Sequence, residues 1–226
     1  MFVTVFGQKG GVAKTCTSVH IAASWSLKQK RVVLVDADRN RSATAYGARG
    51  LLPCPVVPIE AAAKATRLAE IVVTDGQASS NDDEIKNLVE GADFILLPTT
   101  TQSRSIELTV EMSQMLRKYK VPYAELLVKV DARKGASADQ ASELLQQFDI
   151  KVLKARIPLL SAFEHAETEG VTVDQAIDNR GRANPRRMTG WSAYEDACQE
   201  IEDLYNEHSE ASQIVSPIVS PIEWAA

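Results

Sequence analysis

Runs of apolar residues alternate with longer amphipathic stretches along most of the chain. The runs richest in Val, Ile and Leu are typical of buried strands: FVTVF (2–6), RVVLVDAD (31–38), EIVVTDG (70–76), DFILLP (93–98), AELLVKV (124–130) and KVLKARIP (151–158). A shorter strand is predicted at 56–59. Continuous apolar strands that alternate with helices indicate a parallel sheet covered on both faces. The pattern therefore predicts an α/β fold with a mostly parallel, twisted sheet and helices on both faces.

The stretches between these runs have few helix breakers and carry apolar residues at helical spacing. Helices are predicted at 15–30, over an Ala-rich stretch at 60–68, and at about 191–208. Beyond the last helix, EASQIVSPIVSPIEWAA contains Pro217 and Pro221, which make it a poor helix. We therefore predict one domain over 1–209 and a flexible tail over 210–226.

The composition excludes several classes of function. A formal net charge of −5 and a pI of about 5.3 give no reason to expect nucleic-acid binding unless basic residues cluster locally. Cys16, Cys54 and Cys198 form no CxxC pair, so neither a zinc site nor a disulfide framework is indicated. No apolar run approaches the ~18 residues of a membrane span, and the strand-like N-terminus lacks a signal-peptide pattern. We expect a cytoplasmic protein.

A glycine-rich stretch, GQKGGVAKT at 7–15, follows the first predicted strand and precedes a predicted helix. That order places backbone N–H groups and a helix N-terminus around the phosphates of a nucleotide. Lys14 is the expected phosphate-binding lysine, and Thr15 supplies a hydroxyl for Mg²⁺. The ordinary P-loop pattern is broken by Gln8 and Ala13, and a second lysine, Lys9, stands inside the loop.

The form K-G-G-x-x-K-[ST] matches at every fixed position, and it resembles the deviant Walker A motif of the ParA/MinD family of dimerising ATPases. The resemblance implies a P-loop NTPase that binds ATP and Mg²⁺. It implies that Lys9 reaches the nucleotide of a partner subunit and acts there in catalysis. Lys14 is implied to act in catalysis at the nucleotide of its own subunit. The residues that it implies for nucleotide contact are Lys9, Gly10, Gly11, Val12, Ala13, Lys14, Thr15 and Cys16.

Aspartates close the next strands, and by the same resemblance they belong to the site. Asp38 is the candidate to orient the attacking water, Asp36 to lie near Mg²⁺ or its waters, and Asp75 to hold a Mg²⁺-bound water. All three would lie at the C-terminal edge of a parallel sheet, where ligands of such folds bind. The sequence departs from the family pattern at Ala13, at Arg39-Asn40 and at Gly76-Gln77. We interpret these changes as compatible with nucleotide binding, while they bear on the hydrolysis rate.

The family resemblance extends in pattern to about residue 208 and implies a function. Such ATPases bind DNA non-specifically as ATP homodimers, and a ParB-like or other cargo-bound adaptor stimulates hydrolysis. The cargo can be a plasmid, a chromosome region or an organelle such as the carboxysome, positioned over the nucleoid. Pro158 is the expected adenine contact, and Lys151 is a further candidate for a nucleotide or interface contact, with a solvated lysine as the simpler alternative. We expect a nucleoid-associated ATPase of this small type.

Three alternatives stay open at this point. A membrane-cycling MinD-like regulator needs a basic amphipathic helix at its C-terminus, and no Lys or Arg follows Arg187, so we expect no membrane partner. A reductase similar to the nitrogenase iron protein needs cysteines for a bridging cluster, and Cys16 already lies in the loop. A scaffold could bind ATP without hydrolysing it.

The densest positive charge lies in NRGRANPRRM, which we expect to be a loop. Its arginines are the candidate DNA contacts: Arg180, Arg182, Arg186 and Arg187. Arginines in a loop can follow a phosphate backbone, and a symmetric dimer presents two such loops. The alternative is that they form ion pairs with Asp174, Asp178 or nearby glutamates. Arg104, Arg133 and Lys134 are the next candidates.

Overall fold

A parallel sheet of seven strands forms the centre of the computed structural model, which describes residues 1–78 and 81–215, with side chains to residue 211. The strands are β1 (Phe2–Val5), β2 (Val32–Asp36), β3 (Val56–Pro58), β4 (Ile71–Asp75), β5 (Phe94–Thr99), β6 (Tyr123–Val130) and β7 (Val152–Pro158). Their order in the sheet is β3-β2-β4-β1-β5-β6-β7, and every pairing is parallel. All the strands predicted from the apolar runs are present, and the α/β class is confirmed.

Helices cover both faces of this sheet. They are α1 (Lys14–Leu27), α2 (Ser42–Gly47), α3 (Ala62–Ala65), α4 (Asp82–Glu90), α5 (Ser103–Leu116), α6 (Gly135–Gln147), α7 (Ala162–Glu169) and α8 (Arg187–Val215). Helices α1, α2 and α8 pack on one face, while α3, α4, α5 and α6 pack on the other. Burial on both sides explains why the strands are apolar throughout. Among the described residues, no helix combines the length and the apolar character that a membrane crossing requires.

The last helix differs from its prediction at both ends. Helix α8 begins at Arg187 and continues to Val215, so residues 210–215 are helical. Tyr194, Ala197 and Ile201 pack into the main core, and the first proline after this point is Pro217. No proline or glycine lies between residues 191 and 215, and polar residues near 210 do not by themselves stop a helix. The rest of the predicted tail, 216–226, lies outside the described residues.

The strand order brings the predicted site residues to one edge. Strand β4 lies between β1 and β2, and Asp36 and Asp75 are neighbours in the register of β2 and β4. The strand order reverses direction in the sheet where β1 meets β5, because β2 and β4 lie on one side of β1 and β5 to β7 on the other. Open α/β sheets bind ligands in the crevice outside the carboxyl ends of strands at such a point.

Candidate nucleotide-binding site

The loop between β1 and α1 has the backbone shape of a phosphate-binding loop. Gly11 and Ala13 adopt left-handed conformations, with φ of 77° and 59°, and the loop passes directly into α1 at Lys14. The first turn of an α-helix has N–H groups without intrahelical partners, and its dipole favours a negative charge. The loop therefore aims backbone donors at an anion in front of α1.

Lys14 is buried at the mouth of this loop. Its residue is 8% exposed, and its Nζ donates to the carbonyl oxygen of Lys9 at 3.1 Å. Burial lowers the pKa of Lys14, while the carboxylates of Asp75 and Asp38 oppose that shift. A buried ammonium favours a ligand that replaces its lost water with negative charge, as phosphate oxygens do.

Asp75 lies behind the loop, completely buried at the end of β4. Ser18 donates its hydroxyl to Oδ1 at 2.9 Å, whereas Oδ2 is buried without a hydrogen-bond partner among the described residues. Burial raises the pKa of Asp75 to about 7, and the hydroxyls of Thr15 and Ser18 oppose the shift. A bound cation would compensate for this burial by favouring the charged carboxylate.

The donors around Asp75 fit Mg²⁺. The orphaned Oδ2 and the nearby Thr15 hydroxyl are hard oxygen donors, and Mg²⁺ binds proteins through one or two carboxylates while keeping waters and substrate phosphates. Among the described residues there is no group of three or more His, Cys, Asp or Glu side chains that could hold a metal by themselves. The site therefore fits a cation that arrives with a phosphate ligand.

Asp36 and Asp38 have different environments although only one residue separates them. Asp36 is completely buried, and its Oδ2 accepts hydrogen bonds from the backbone N–H and the hydroxyl of Thr44, both at 2.7 Å. Its Oδ1 accepts from the N–H of Asp38 at 3.1 Å. Asp38 is half-buried, accepts from the N–H of Asn40 at 2.9 Å and faces the cavity described next. Asp36 therefore shapes the turn that presents Asp38.

A cavity of about 610 Å³ opens in front of the loop, a size suited to a small-molecule ligand. One end is polar and contains loop residues 10–16 except Val12, together with Asp38, Arg39 and Asn40. The other end is largely apolar and is lined by Val128, Ile157, Pro158, Leu159, Leu160, Phe163 and Tyr194. A polar end that binds anions beside an apolar end suits a nucleotide, with its phosphates and its base.

A cluster of aromatic rings packs at the apolar end of the cavity. His20 stacks on Tyr194 with ring centroids 4.9 Å apart and meets Phe163 edge to face at 5.3 Å. The N–H of Val173 donates to Nε2 of His20 at 3.0 Å, so Nδ1 carries the proton and donates to the carbonyl of Cys16 at 2.7 Å. Burial lowers the pKa of His20 to about 4, which keeps the ring neutral. This network fixes α1 against the segment that lines the base end.

The model of the CobQ/CobB/MinD/ParA nucleotide-binding domain matches residues 3–173. The chain belongs to this family. The carboxysome distribution protein A of Gloeobacter kilaueensis is 30% identical over 184 residues, which cover 76% of this chain and 83% of that protein. The MinD cell division protein of Aquifex aeolicus has the same fold, with a TM-score of 0.70, 14% identity, and coverage of 89% of this chain and 97% of that one. MinD of Pyrococcus horikoshii, solved with Mg-ADP, gives a TM-score of 0.68 at 13% identity, covering 92% and 98%.

Most of the predicted site residues line the ParA/MinD-type cavity: Gly10, Gly11, Ala13, Lys14, Thr15, Cys16, Asp38 and Pro158. Asp36 and Asp75 lie behind them, completely buried. Val12 is buried within the loop and does not line the cavity, and its predicted nucleotide contact stays a prediction. Lys151 lies just before β7 at the opposite edge of the sheet, which favours the solvated alternative.

Lys9 also lies outside the cavity of its own chain. Its Nζ donates to Oε1 of Gln102 at 2.9 Å, just before α5, and the side chain is half-buried. Lys14 and Lys9 thus point to different places although they share one loop. The sequence motif predicts two roles for the two lysines, and the geometry separates them.

Sequence reasoning missed several residues that line the cavity: Lys129, Phe163, Glu164, Glu167 and Tyr194. They come from the end of β6, from α7 and from α8, more than a hundred residues after the loop. Glu164 and Glu167 are spaced i, i+3 on α7, which is a signal that two carboxylates share one helix face. No local pattern marks Lys129 or Tyr194.

The candidate DNA-binding arginines differ in their surroundings: one lies in a helix, and another forms an ion pair. Arg187 is the first residue of α8, and the guanidinium of Arg182 forms an ion pair with Asp178 at 2.9 Å, the alternative that the sequence left open. Arg180 and Arg186 are exposed and form no ion pair among the described residues. Among the further candidates, Arg104 pairs with Glu107, and Arg133 with Asp131. Lys134 is exposed at the turn before α6.

Proposed function

We propose that this chain is an Mg²⁺-dependent ATPase that forms a homodimer when it binds ATP. The observation that carries the proposal is the separation of the two loop lysines. Lys14 is buried at the mouth of its own cavity, whereas Lys9 is held by Gln102 outside it, at a place that a second copy can reach. One lysine then binds the nucleotide in cis, and the other completes the site of the partner.

Each residue of the site has a role in this proposal. Lys14 and the N–H groups of the loop hold the phosphates, and Asp38 orients the attacking water at the mouth of the cavity. Lys9 of the second copy neutralises charge that develops on the transferring phosphoryl group. Thr15 and Asp75 would hold Mg²⁺, which would supply charge neutralisation at the phosphates. Asp36 holds the turn that carries Asp38.

The test is size-exclusion chromatography with light scattering, run with and without Mg-ATP. We expect the wild-type chain to become a dimer with ATP. The Lys9→Ala variant should stay monomeric while keeping measurable affinity for ATP, because it leaves the cavity of its own chain intact. The matched Lys14→Ala variant should lose ATP binding itself, because it removes the buried ammonium nearest the phosphates. A Lys9→Ala protein that dimerises normally would contradict the trans role.

We further propose that the ATP dimer binds DNA without sequence preference and positions a cargo over the nucleoid. Family membership and the relative named for carboxysome distribution support a positioning role, with a protein organelle, a plasmid or a chromosome region as the cargo. A ParB-like or other cargo-bound adaptor would stimulate hydrolysis. The exposed guanidinium groups of Arg180 and Arg186, beside Arg187, are the proposed DNA contacts.

The same dimer samples test this part with a DNA duplex. We expect binding that needs ATP and weakens steeply as salt rises, because Lys and Arg contacts release counterions. Replacement of Arg186 and Arg187 together by Glu should remove duplex binding and leave the ATP dimer unchanged. Replacement of Arg182 by Glu is the matched control, since Asp178 already occupies that guanidinium. Full DNA affinity in the double variant would place the contacts elsewhere on the dimer.

A further inference from the structure

Lys129 has an unusual backbone at the end of strand β6. Its φ is 55°, in the left-handed region, and the pairing of β6 with β7 shifts register between Leu127 and Val130. A residue with a long side chain is strained in this conformation, and such strain persists only where the surroundings hold it. The irregularity turns Lys129 out of the sheet at the edge where the nucleotide cavity lies.

The ammonium of Lys129 contacts the phosphate loop. Its Nζ donates to the carbonyl oxygen of Gly11 at 2.8 Å, across 118 residues of sequence, and the residue lines the cavity. This contact parallels that of Lys14, whose Nζ donates to the carbonyl of Lys9 in the same loop. Two lysines thus approach the loop, one from α1 and one from β6.

The charge of Lys129 is directed at the cavity. An ammonium has three N–H donors, and Gly11 takes one of them. Among the described residues, no carboxylate lies within 4.0 Å of this nitrogen to form an ion pair. Burial raises the pKa of the Cys16 thiol at the start of α1, and the positive charge of Lys129 opposes that rise. Asp38, Glu164 and Glu167 are the anionic side chains that line the same cavity.

We propose that Lys129 is a phosphate ligand of the bound nucleotide, a cis cation contributed by β6 in addition to Lys14. The inference rests on the proposed nucleotide-binding function. Lys129 lies between the loop and the apolar base wall, because Val128 beside it lines that wall and Val130 pairs with Pro158. It is therefore placed to meet the phosphate nearest the sugar, while its hydrogen bond to Gly11 holds the loop in position.

The experiment measures the affinities of ATP, ADP and adenosine for the wild-type chain and for variants at this position. Lys129→Met removes the charge and keeps the bulk, and Lys129→Gly removes the side chain while tolerating the left-handed backbone. Lys129→Arg restores a cation. Lys134→Met is the matched control, because Lys134 is an exposed lysine shortly after the same strand that does not line the cavity. Thermal unfolding without ligand confirms that each variant is folded.

We expect Lys129→Met and Lys129→Gly to weaken ATP and ADP by about tenfold, the usual size of one charge-assisted hydrogen bond, and to leave adenosine unchanged. The loss should shrink as salt rises, and Lys129→Arg should recover most of it. An equal loss for adenosine would place the effect at the base end or in the fold rather than at a phosphate, and would overturn the proposal. Unchanged affinities in both variants would also overturn it. Failure of the wild-type chain to bind any nucleotide would instead reject the proposed function.

Discussion

The two ends of the nucleotide cavity are built in different ways. The polar end consists mainly of the phosphate loop, with Asp38 beside it. Within the loop, the Lys14 ammonium donates to a backbone carbonyl, that of Lys9. The apolar end combines residues from β6, β7, α7 and α8, and two of them, Phe163 and Tyr194, pack against His20. The first can be recognised in a short sequence motif, whereas the second exists only in the folded chain.

This difference predicts a division of labour between chemistry and affinity. In the proposed ATPase, groups at the polar end would meet the phosphates, where charge changes during hydrolysis, while groups at the apolar end would meet a base that does not react. Only interactions that strengthen in the transition state accelerate a reaction. Substitutions at the two ends should therefore affect different kinetic constants.

The largest effect is expected at the polar end, in Asp38→Ala. A residue that positions the attacking water contributes to the transition state, so hydrolysis should fall by about 10²-fold while ATP still binds. Single-turnover ATP hydrolysis and equilibrium ATP binding measure the two quantities separately. Asn40→Ala is the control, since Asn40 lines the same end but lacks a carboxylate. Loss of ATP binding in Asp38→Ala would show that the residue is structural or a metal ligand.

A smaller effect is expected at the apolar end, in Phe163→Ala. Phe163 is half-buried, lines the cavity and contacts His20 and Tyr194 edge to face. Loss of one aromatic contact with the base should weaken ATP and ADP equally, by about two- to tenfold, because such pairs contribute about 0.5–1.5 kcal/mol beyond their buried area. The rate of the bound complex should stay the same.

The matched control for this variant is Phe148→Ala, which removes an equally large ring that is 44% exposed after α6. It lies far from the nucleotide cavity and should leave both affinities unchanged. A Phe163→Ala protein with slower hydrolysis and unchanged affinity would break the proposed division between the two ends.

The parts of the fold that the sequence predicts are those with a local cause. Strands that are buried on both faces consist of apolar residues whatever surrounds them. The sequence therefore predicts the bounds of β1 to β7 to within a few residues. The phosphate loop is legible because its function depends on the backbone and on two lysines at fixed spacing. Gly76, a departure from the family pattern, has instead a tertiary reason that the sequence does not show: a Cβ there would come within 2.8 Å of the Phe6 Cβ.

The parts that the sequence could not predict depend on distant contacts. Helix α8 packs on α1 and the sheet through its apolar face, and Glu202 accepts from the Trp25 indole at 2.6 Å, contacts that no local pattern marks. Lys129 joins the site through a register shift between β6 and β7 that no local pattern marks. Tertiary packing, rather than propensity, decides each of these features.

The smallest expected effect is on the stability of the folded chain. It tests whether the backbone of the phosphate loop is strained at Ala13. This residue stands where the family commonly has glycine, and it adopts φ 59° immediately before α1. A left-handed backbone costs a residue with a Cβ about 1–2 kcal/mol, while glycine loses about 0.5–1 kcal/mol more freedom on folding. Ala13→Gly should therefore stabilise the chain by about 0.5 kcal/mol, or ~1–2 °C in Tm. Ala45→Gly, in an exposed position of α2, should instead destabilise by about 1 kcal/mol. Thermal unfolding distinguishes the two signs, and a loss of stability in both variants would show that the loop carries no strain at Ala13.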